Sequence, residues 1–411
     1  MTLREDANKI IRDSIQAAMP DSAVRRALEK ANFGSSRLLL VAAGKGGWQM
    51  AKAAYDLLGD RIADGVVITK YDHAKGPIGG LRIFEAGHPV PDENSFAATQ
   101  AAIDLVKDLT AGDTVLFLLS GGGSALFEKP LIPADELTDL TKQLLACGAD
   151  IVEMNTVRKR LSAVKGGRFA ELCAPARVFS IVLSDIIGDP LDMIASGPAY
   201  PDNSTCAQAL EIVERYGLKL SGRAMELLRQ ETPKALNNVE THITGSVREL
   251  CAAAAASAKA LGYEPVVLTD CLTCEAREAG SFLASVARYH GDADHSVAFI
   301  AGGETVVHLT GKGKGGRNQE LALSAAQGIA GLRGAAVFSV GSDGTDGPTD
   351  AAGGYVDSTT RDRLAEQGVK IFEVLQQNDA YHALQKVDGL VITGGTGTNV
   401  NDVSVVLLKR D

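Results

Sequence analysis

The sequence predicts an α/β protein built from two domains. Short, wholly apolar runs alternate with helical patterns, and the loops that follow those runs are rich in glycine and charge. A chain of 411 residues is also long for a single core. Apolar runs buried on both faces indicate parallel strands covered by helices. In such sheets ligands gather at the carboxyl ends of the strands, so the loop contents carry the functional information.

Residues 3–32 read as two helices, the first amphipathic. Strands follow at 38–42, 65–69 and 82–85, with a helix at 48–58 after the first. A helix at 93–108 and strands at 114–119 and 178–183 continue the alternation. The polar stretch 231–241 reads as a link. Beyond it come a helix at 245–261, a strand at 265–268, a helix at 274–289, and strands at 297–300 and 335–340. No tandem repeat and no low-complexity tail interrupts the pattern.

The densest functional stretch is Gly302-Gly303-Glu304-Thr305 followed by Gly311-Lys312-Gly313-Lys314-Gly315-Gly316-Arg317-Asn318-Gln319-Glu320. A buried strand leads in, and Leu321, Ala325 and Ile329 lead out at helical spacing. A cationic glycine turn ending at a helix start suits phosphate, through exposed N–H groups and the helix dipole. Lys312 and Lys314 read either as phosphate ligands or as solvated turn lysines; Arg317 opens an apolar helix and stays near the turn. Gly311, Gly313 and Gly316 also satisfy G-x-G-x-x-G. A dinucleotide site further needs an acid about 20 residues on, at a strand end. That distance falls inside the apolar run 335–340, so a phosphate clamp fits the turn better.

Other strand ends carry Gly44-Lys45-Gly46-Gly47, Ser120-Gly121-Gly122-Gly123-Ser124, and Ser184-Asp185-Ile186-Ile187-Gly188-Asp189-Pro190. Glycine there lets backbone approach a ligand without a Cβ in the way. Lys45 reads either as an amine reaching a ligand or as a solvent lysine. One of Asp185 and Asp189 reads as a group that binds a metal or takes a hydroxyl proton, with a helix N-cap as the rival role for Asp185. His88, in Gly87-His88-Pro89, reads as a substrate contact or a turn-stabilising imidazole. Asp343, Asp346 and Asp350 do not fit an EF-hand loop. On a flexible loop facing a phosphate clamp they suit Mg²⁺, which takes one or two carboxylates plus phosphate oxygens and water. Their rival reading is turn chemistry, since Asp-Gly pairs favour turns.

A formal charge of −10 argues against nucleic-acid or anionic-membrane partners. The six cysteines are scattered, and Cys271-Leu272-Thr273-Cys274 lacks a second pair at zinc spacing. That pair reads as small apolar residues entering a helix. Nothing demands disulfides, residues 2–6 open a helix and not a signal peptide, and no apolar run reaches membrane-spanning length. The expected location is cytoplasmic, and a homodimer is left open.

The set Ala43-Gly44-Lys45, Gly87-His88-Pro89-Val90-Pro91-Asp92, Leu119-Ser120-Gly121-Gly122-Gly123-Ser124-Ala125 and Asn155-Thr156-Val157-Arg158-Lys159-Arg160-Leu161-Ser162 resembles the glycerate 2-kinases of the MOFRL family. So do Lys165-Gly166-Gly167, the 184–190 loop, Gly315–Glu320 and the loop 341–350. The resemblance runs through nearly the whole chain in order; Arg160 stands where many relatives carry histidine. It implies phosphorylation of D-glycerate to 2-phosphoglycerate with ATP and Mg²⁺. It implies a Rossmann-like N-terminal domain (residues 1–237), a MOFRL-type α/β domain (238–411), and an active site in the cleft between. The family's catalytic lysine and arginine fall on Lys45 and Arg317, with Asp185 as a third catalytic candidate. Gly44, Gly46, His88, Ser120, Gly121, Gly122, Gly123, Ser124, Asp189, Glu304, Lys314 and Asn318 are the expected substrate- and nucleotide-binding residues. Asp343, Asp346 and Asp350 are the expected metal ligands. The family is also associated with NAD(P)H-dependent hydroxypyruvate reduction, the competing expectation.

Overall fold

The computed structural model describes residues 2–410. They divide into two compact units, one of residues 24–184 and 189–244, the other of residues up to 23, 185–188 and 245 onward.

In the first unit the apolar runs form β1 (Arg37–Ala43), β2 (Ile62–Lys70), β3 (Arg82–Ala86), β4 (Asp113–Leu119), β5 (Arg177–Leu183) and β6 (Val239–Gly245). They assemble in the order β3-β2-β1-β4-β5-β6, and β1 to β5 run parallel. This is the Rossmann strand order, whose direction of growth reverses between β1 and β4. Helices Gly47–Leu58 and Glu93–Leu105 make the crossovers. Asp92 starts the second of these, accepting from the Ser95 N–H while the Ser95 hydroxyl caps Asp92 in return. The core joins Val41, Val66, Val115 and Val178 of the sheet to a triad of rings, Phe117, Phe127 and Phe169, with centroids 4.9–5.7 Å apart.

The second unit contains β7 (Glu264–Leu272), β8 (Val297–Gly303), β9 (Ala335–Gly341), β10 (Gly353–Asp357), β11 (Leu390–Val391) and β12 (Asp402–Leu408), in the order β11-β10-β9-β12-β8-β7. Only β7 and β8 are parallel neighbours among the described residues. β12 lies between β8 and β9, antiparallel to both, and is buried along its length. This second sheet is therefore mixed, unlike the first. β8 and β9, joined through the helix Arg317–Ile329, are parallel to each other but kept apart by the strand nearest the C-terminus.

The changeover between units falls at Thr244 and Gly245. The N-terminal helix Leu3–Ala17 departs from expectation. Its Ile10, Ile11 and Ile15 pack with Val247, Leu250, Val403 and Val405, so it completes the second unit's core. Arg4 fastens it further through the carbonyls of Asp388 and Leu390, at 2.9 and 2.8 Å. The expected link 231–241 also holds the start of β6. Cys271 and Cys274 are exposed around the end of β7, ahead of the helix that begins at Ala276. Among the described residues no helix is long and apolar enough to cross a membrane.

Candidate active-site elements of the two units

At the switch point of the first sheet, the loops after β1 and β4 are bonded to each other. The Lys45 N–H donates to the Gly121 carbonyl at 2.9 Å, and the Gly46 N–H to the Ser120 hydroxyl at 3.0 Å. Thr69, at the end of β2, donates its hydroxyl to the Lys45 carbonyl at 3.2 Å. Gly44 has φ +129°, and a Cβ there would run into the Ser120 side chain, so only glycine allows this approach. A Cβ on Gly122 would lie 2.9 Å from the His88 ring and 3.1 Å from Lys45 Cγ. Lys45, His88 and the Gly122 backbone thus converge at the carboxyl end of the sheet. Burial, and then the charge of Lys45, holds the His88 imidazole below its ordinary value. It is neutral at pH 7, beside a cation.

Ser124 faces inward. Its hydroxyl lies 3.0 Å from that of Ser196, which donates to Asn155 at 3.0 Å. The fully buried Lys165 donates to the Ser124 carbonyl at 2.7 Å and pairs with buried Glu128 at 3.2 Å. Arg160 is also fully buried, bonded to Thr156, Ser204 and Glu231. Lys165, Asn155 and Ser196 were not singled out as site residues from sequence. Their motifs were visible, but a buried lysine beneath a glycine loop is a tertiary fact. Asp189 has φ +51° and a buried Oδ1 with no hydrogen-bond partner.

In the second unit, Arg317 opens the helix after the glycine turn and is gripped from two sides. Asp402 takes Nε at 2.5 Å and Nη2 at 3.0 Å, and Glu304 takes Nη1 at 3.2 Å. Burial works against the guanidinium charge, but the hydrogen bond and charge of Asp402 outweigh it and raise the Arg317 pKa further. Glu304 is in turn held by Asn401, whose amide donates at 3.1 Å. Asn401 also donates to the Asp185 carbonyl at 3.2 Å, and no helix begins at Asp185, so the N-cap role is excluded. Asp402, eighty-five residues from Arg317, carried no signal beyond an acid at the start of an apolar run.

The glycine turn is less open than expected. The Gly311 N–H donates to Asn378 Oδ1, that of Gly313 to the Gln377 carbonyl and that of Lys314 to Asp379, all at 2.8–2.9 Å. Lys314 sets its ammonium 4.2 Å from the Tyr381 ring centre. The N–H groups of Lys312, Gly315, Gly316 and Arg317 keep no internal partner among the described residues.

The three loop aspartates are not gathered together. Asp346 is buried and caps the helix Arg317–Ile329, accepting from the N–H groups of Asn318 at 3.1 Å and Gln319 at 2.9 Å. Burial pushes its carboxyl up to about 6, against the pull of those donors. Asp350 accepts from the Tyr381 hydroxyl at 2.7 Å. Asp343 accepts from the Thr345 N–H at 2.9 Å and is half-buried. Among the described residues no three His, Cys, Asp or Glu side chains come together to hold a metal. Asn318, expected at the ligand, lies in the interior, bonded to Asp346 and Ser339.

Arg317, Glu304, Asp346 and the glycine turn line a pocket of about 900 Å³. The chain is therefore a two-unit α/β protein in which each unit carries cationic side chains beside a glycine loop, Lys45 in one and Arg317 in the other. The domain of unknown function DUF4147 matches residues 6–229, and the MOFRL family matches residues 297–402. The chain belongs to the glycerate kinase family that combines these two domains. It is 52% identical to the D-glycerate 2-kinase of Thermotoga maritima, over 99% of each chain. The crystal structure of a glycerate kinase from that organism, 51% identical, matches 99% of each chain with a TM-score of 0.94. A protein of Agrobacterium vitis that carries, provisionally, the name hydroxypyruvate reductase is 41% identical over 90% of this chain and 99% of its own.

Proposed function

We propose that this protein transfers the γ-phosphoryl group of ATP to the 2-hydroxyl of D-glycerate, giving 2-phosphoglycerate and ADP. The full-length identity to the Thermotoga D-glycerate 2-kinase carries this reading. Phosphoryl transfer asks little covalent chemistry of a protein; it needs positioning and positive charge near the equatorial oxygens. Lys45 supplies one such cation, on a turn that three strand ends hold in place. Arg317 supplies the other: Asp402 keeps the guanidinium oriented, and the half-exposed Glu304 yields Nη1 to an incoming phosphate. His88, neutral beside Lys45, donates to or accepts from the acid without adding charge. Asp185 is the proposed base for the 2-hydroxyl.

The donor set suits a magnesium ion carried by the nucleotide, not a protein cage. Asp343 has one oxygen engaged by the Thr345 N–H, and its other oxygen would help hold such an ion. Such an ion offsets phosphate charge during transfer. Asp346 and Asp350 are given to the helix cap and to Tyr381, and Asp343 is the proposed ligand.

The test is product identity. Purified protein with ATP, Mg²⁺ and D-glycerate, coupled to enolase without mutase, should give signal directly. Signal only after mutase is added would mean the 3-phosphate.

The Agrobacterium relative supports hydroxypyruvate reduction as a second reading. The turn geometry weighs against it. β8 ends at Gly303, so the glycine triplet begins eight residues beyond the strand, and β12 separates β8 from β9. NAD(P)H oxidation with hydroxypyruvate at rates matching ATP-dependent turnover would overturn the kinase reading.

A further inference from the structure

We infer that the 900 Å³ pocket of the second unit receives the nucleoside phosphate, with the base on its apolar rim and the phosphates on the glycine turn. This rests on the phosphotransfer reading and says which unit holds the larger substrate. The volume lies in the range of sites for drug-sized ligands and far exceeds what a three-carbon acid fills.

The lining has two chemical halves. Val306, Val307 and Leu309 are among the lining residues, and Leu309 is 83% exposed while Val306 is 50% exposed. Apolar side chains left open at a pocket rim suit a flat aromatic base; a hydroxy acid gains nothing from them. The same lining includes the turn, whose Lys312, Gly315, Gly316 and Arg317 N–H groups keep no internal partner among the described residues. The turn is built to hold that shape. A Cβ on Gly313 would meet Asp379 at 2.5 Å, and Asn378 staples Thr310 and Gly311 at 2.8 and 2.9 Å. Glu320, 2% exposed, also lines the pocket; one of its oxygens has no hydrogen bond and lies 3.5 Å from Arg277 Nε, an ion pair that keeps a carboxylate in place at the pocket wall. Its other oxygen accepts from Asn378 at 3.2 Å.

Leu309→Asp and Val306→Asp test this. Both side chains are exposed, so folding should survive, which thermal melting checks. ADP and ATP binding is measured by calorimetry without any acid, and KM for each substrate is measured separately. Each variant should weaken nucleotide binding by on the order of tenfold or more, from lost apolar burial and charge repulsion, with KM for glycerate unchanged. Leu309→Met should restore affinity. Wild-type nucleotide affinity in both Asp variants, or a rise confined to the KM for glycerate, would overturn the assignment alone. Binding of NADPH but of neither ADP nor ATP by the wild-type protein would overturn the phosphotransfer reading beneath it.

Discussion

Lys45 and Arg317 are each held by something other than their own turn. Loss of a cation at a transferring phosphoryl group is worth roughly 10³-fold or more in rate. Lys45→Met, which keeps much of the stem, and Arg317→Lys, which keeps charge but loses the planar fork, should both lose mainly kcat. Circular dichroism should stay unchanged. Wild-type kcat in both would reduce them to solvated turn cations. Asp402→Asn should follow Arg317→Lys, because the bidentate grip on the guanidinium is gone. His88 gives a separate readout. Its pKa lies below its ordinary 6.5, through burial first and Lys45 second, so the folded state disfavours its protonation. Stability from this group is present above pH 6.5 and declines as acidification approaches the lowered pKa. An NMR titration should place its midpoint below 6.5, and Lys45→Met should move it up; an unmoved midpoint refutes the coupling. Lys45 and His88 could be picked out from sequence because each follows a strand in a glycine-lined loop. Asp402 could not, since its meaning depends on a strand pairing that no local pattern encodes.

At the level of elements, the helix Arg317–Ile329 starts on a borrowed cap. Asp346, twenty-eight residues away, takes the place of a local N-cap side chain. Asp346→Ala should cost about 1–2 kcal/mol in urea denaturation, the usual cost of a lost cap. Asp346→Asn should retain most of that, since an amide oxygen still accepts. The carboxyl titrates near 6 in the fold against an ordinary 3.8, so its stability contribution is present below 3.8 and lost as pH rises through 6. Asp346→Asn should therefore flatten the stability profile across that window; an unchanged slope would refute the shift. The same residue shows where sequence reading stops. An Asp-Gly-rich loop after a strand reads as metal or turn chemistry, and only the packed structure shows it serving a helix elsewhere. The strands β1, β4 and β5 were legible because burial on both faces leaves unbroken apolar runs. β10 and β11 were not: Gly353-Gly354 and a two-residue strand carry no such run.

For the molecule as a whole, the two-domain α/β plan was readable, and the assignment of the first helix was not. Amphipathic spacing announces a buried face without naming its partner. Ile10→Ala, in a side chain with no exposure, should destabilise the second unit by about 2–5 kcal/mol. Hydrogen exchange should show protection lost in β9 and β12 and kept in β1 and β4. Loss in β1 and β4 instead would place the helix with the wrong unit. Omitting Mg²⁺, or adding a chelator, should abolish turnover while leaving the melting temperature unchanged, since among the described residues no three His, Cys, Asp or Glu side chains gather to hold an ion.

The placement of the helix Leu3–Ala17 also sets a schedule for the chain's birth. The ribosome makes this helix well before its partners Val403 and Val405, with the whole Rossmann-like unit between. At roughly 5–20 residues per second, tens of seconds separate the two. Throughout that interval an isoleucine stripe waits for the rest of its core, open to chaperones or to a neighbouring nascent chain, while the intervening unit can already have folded.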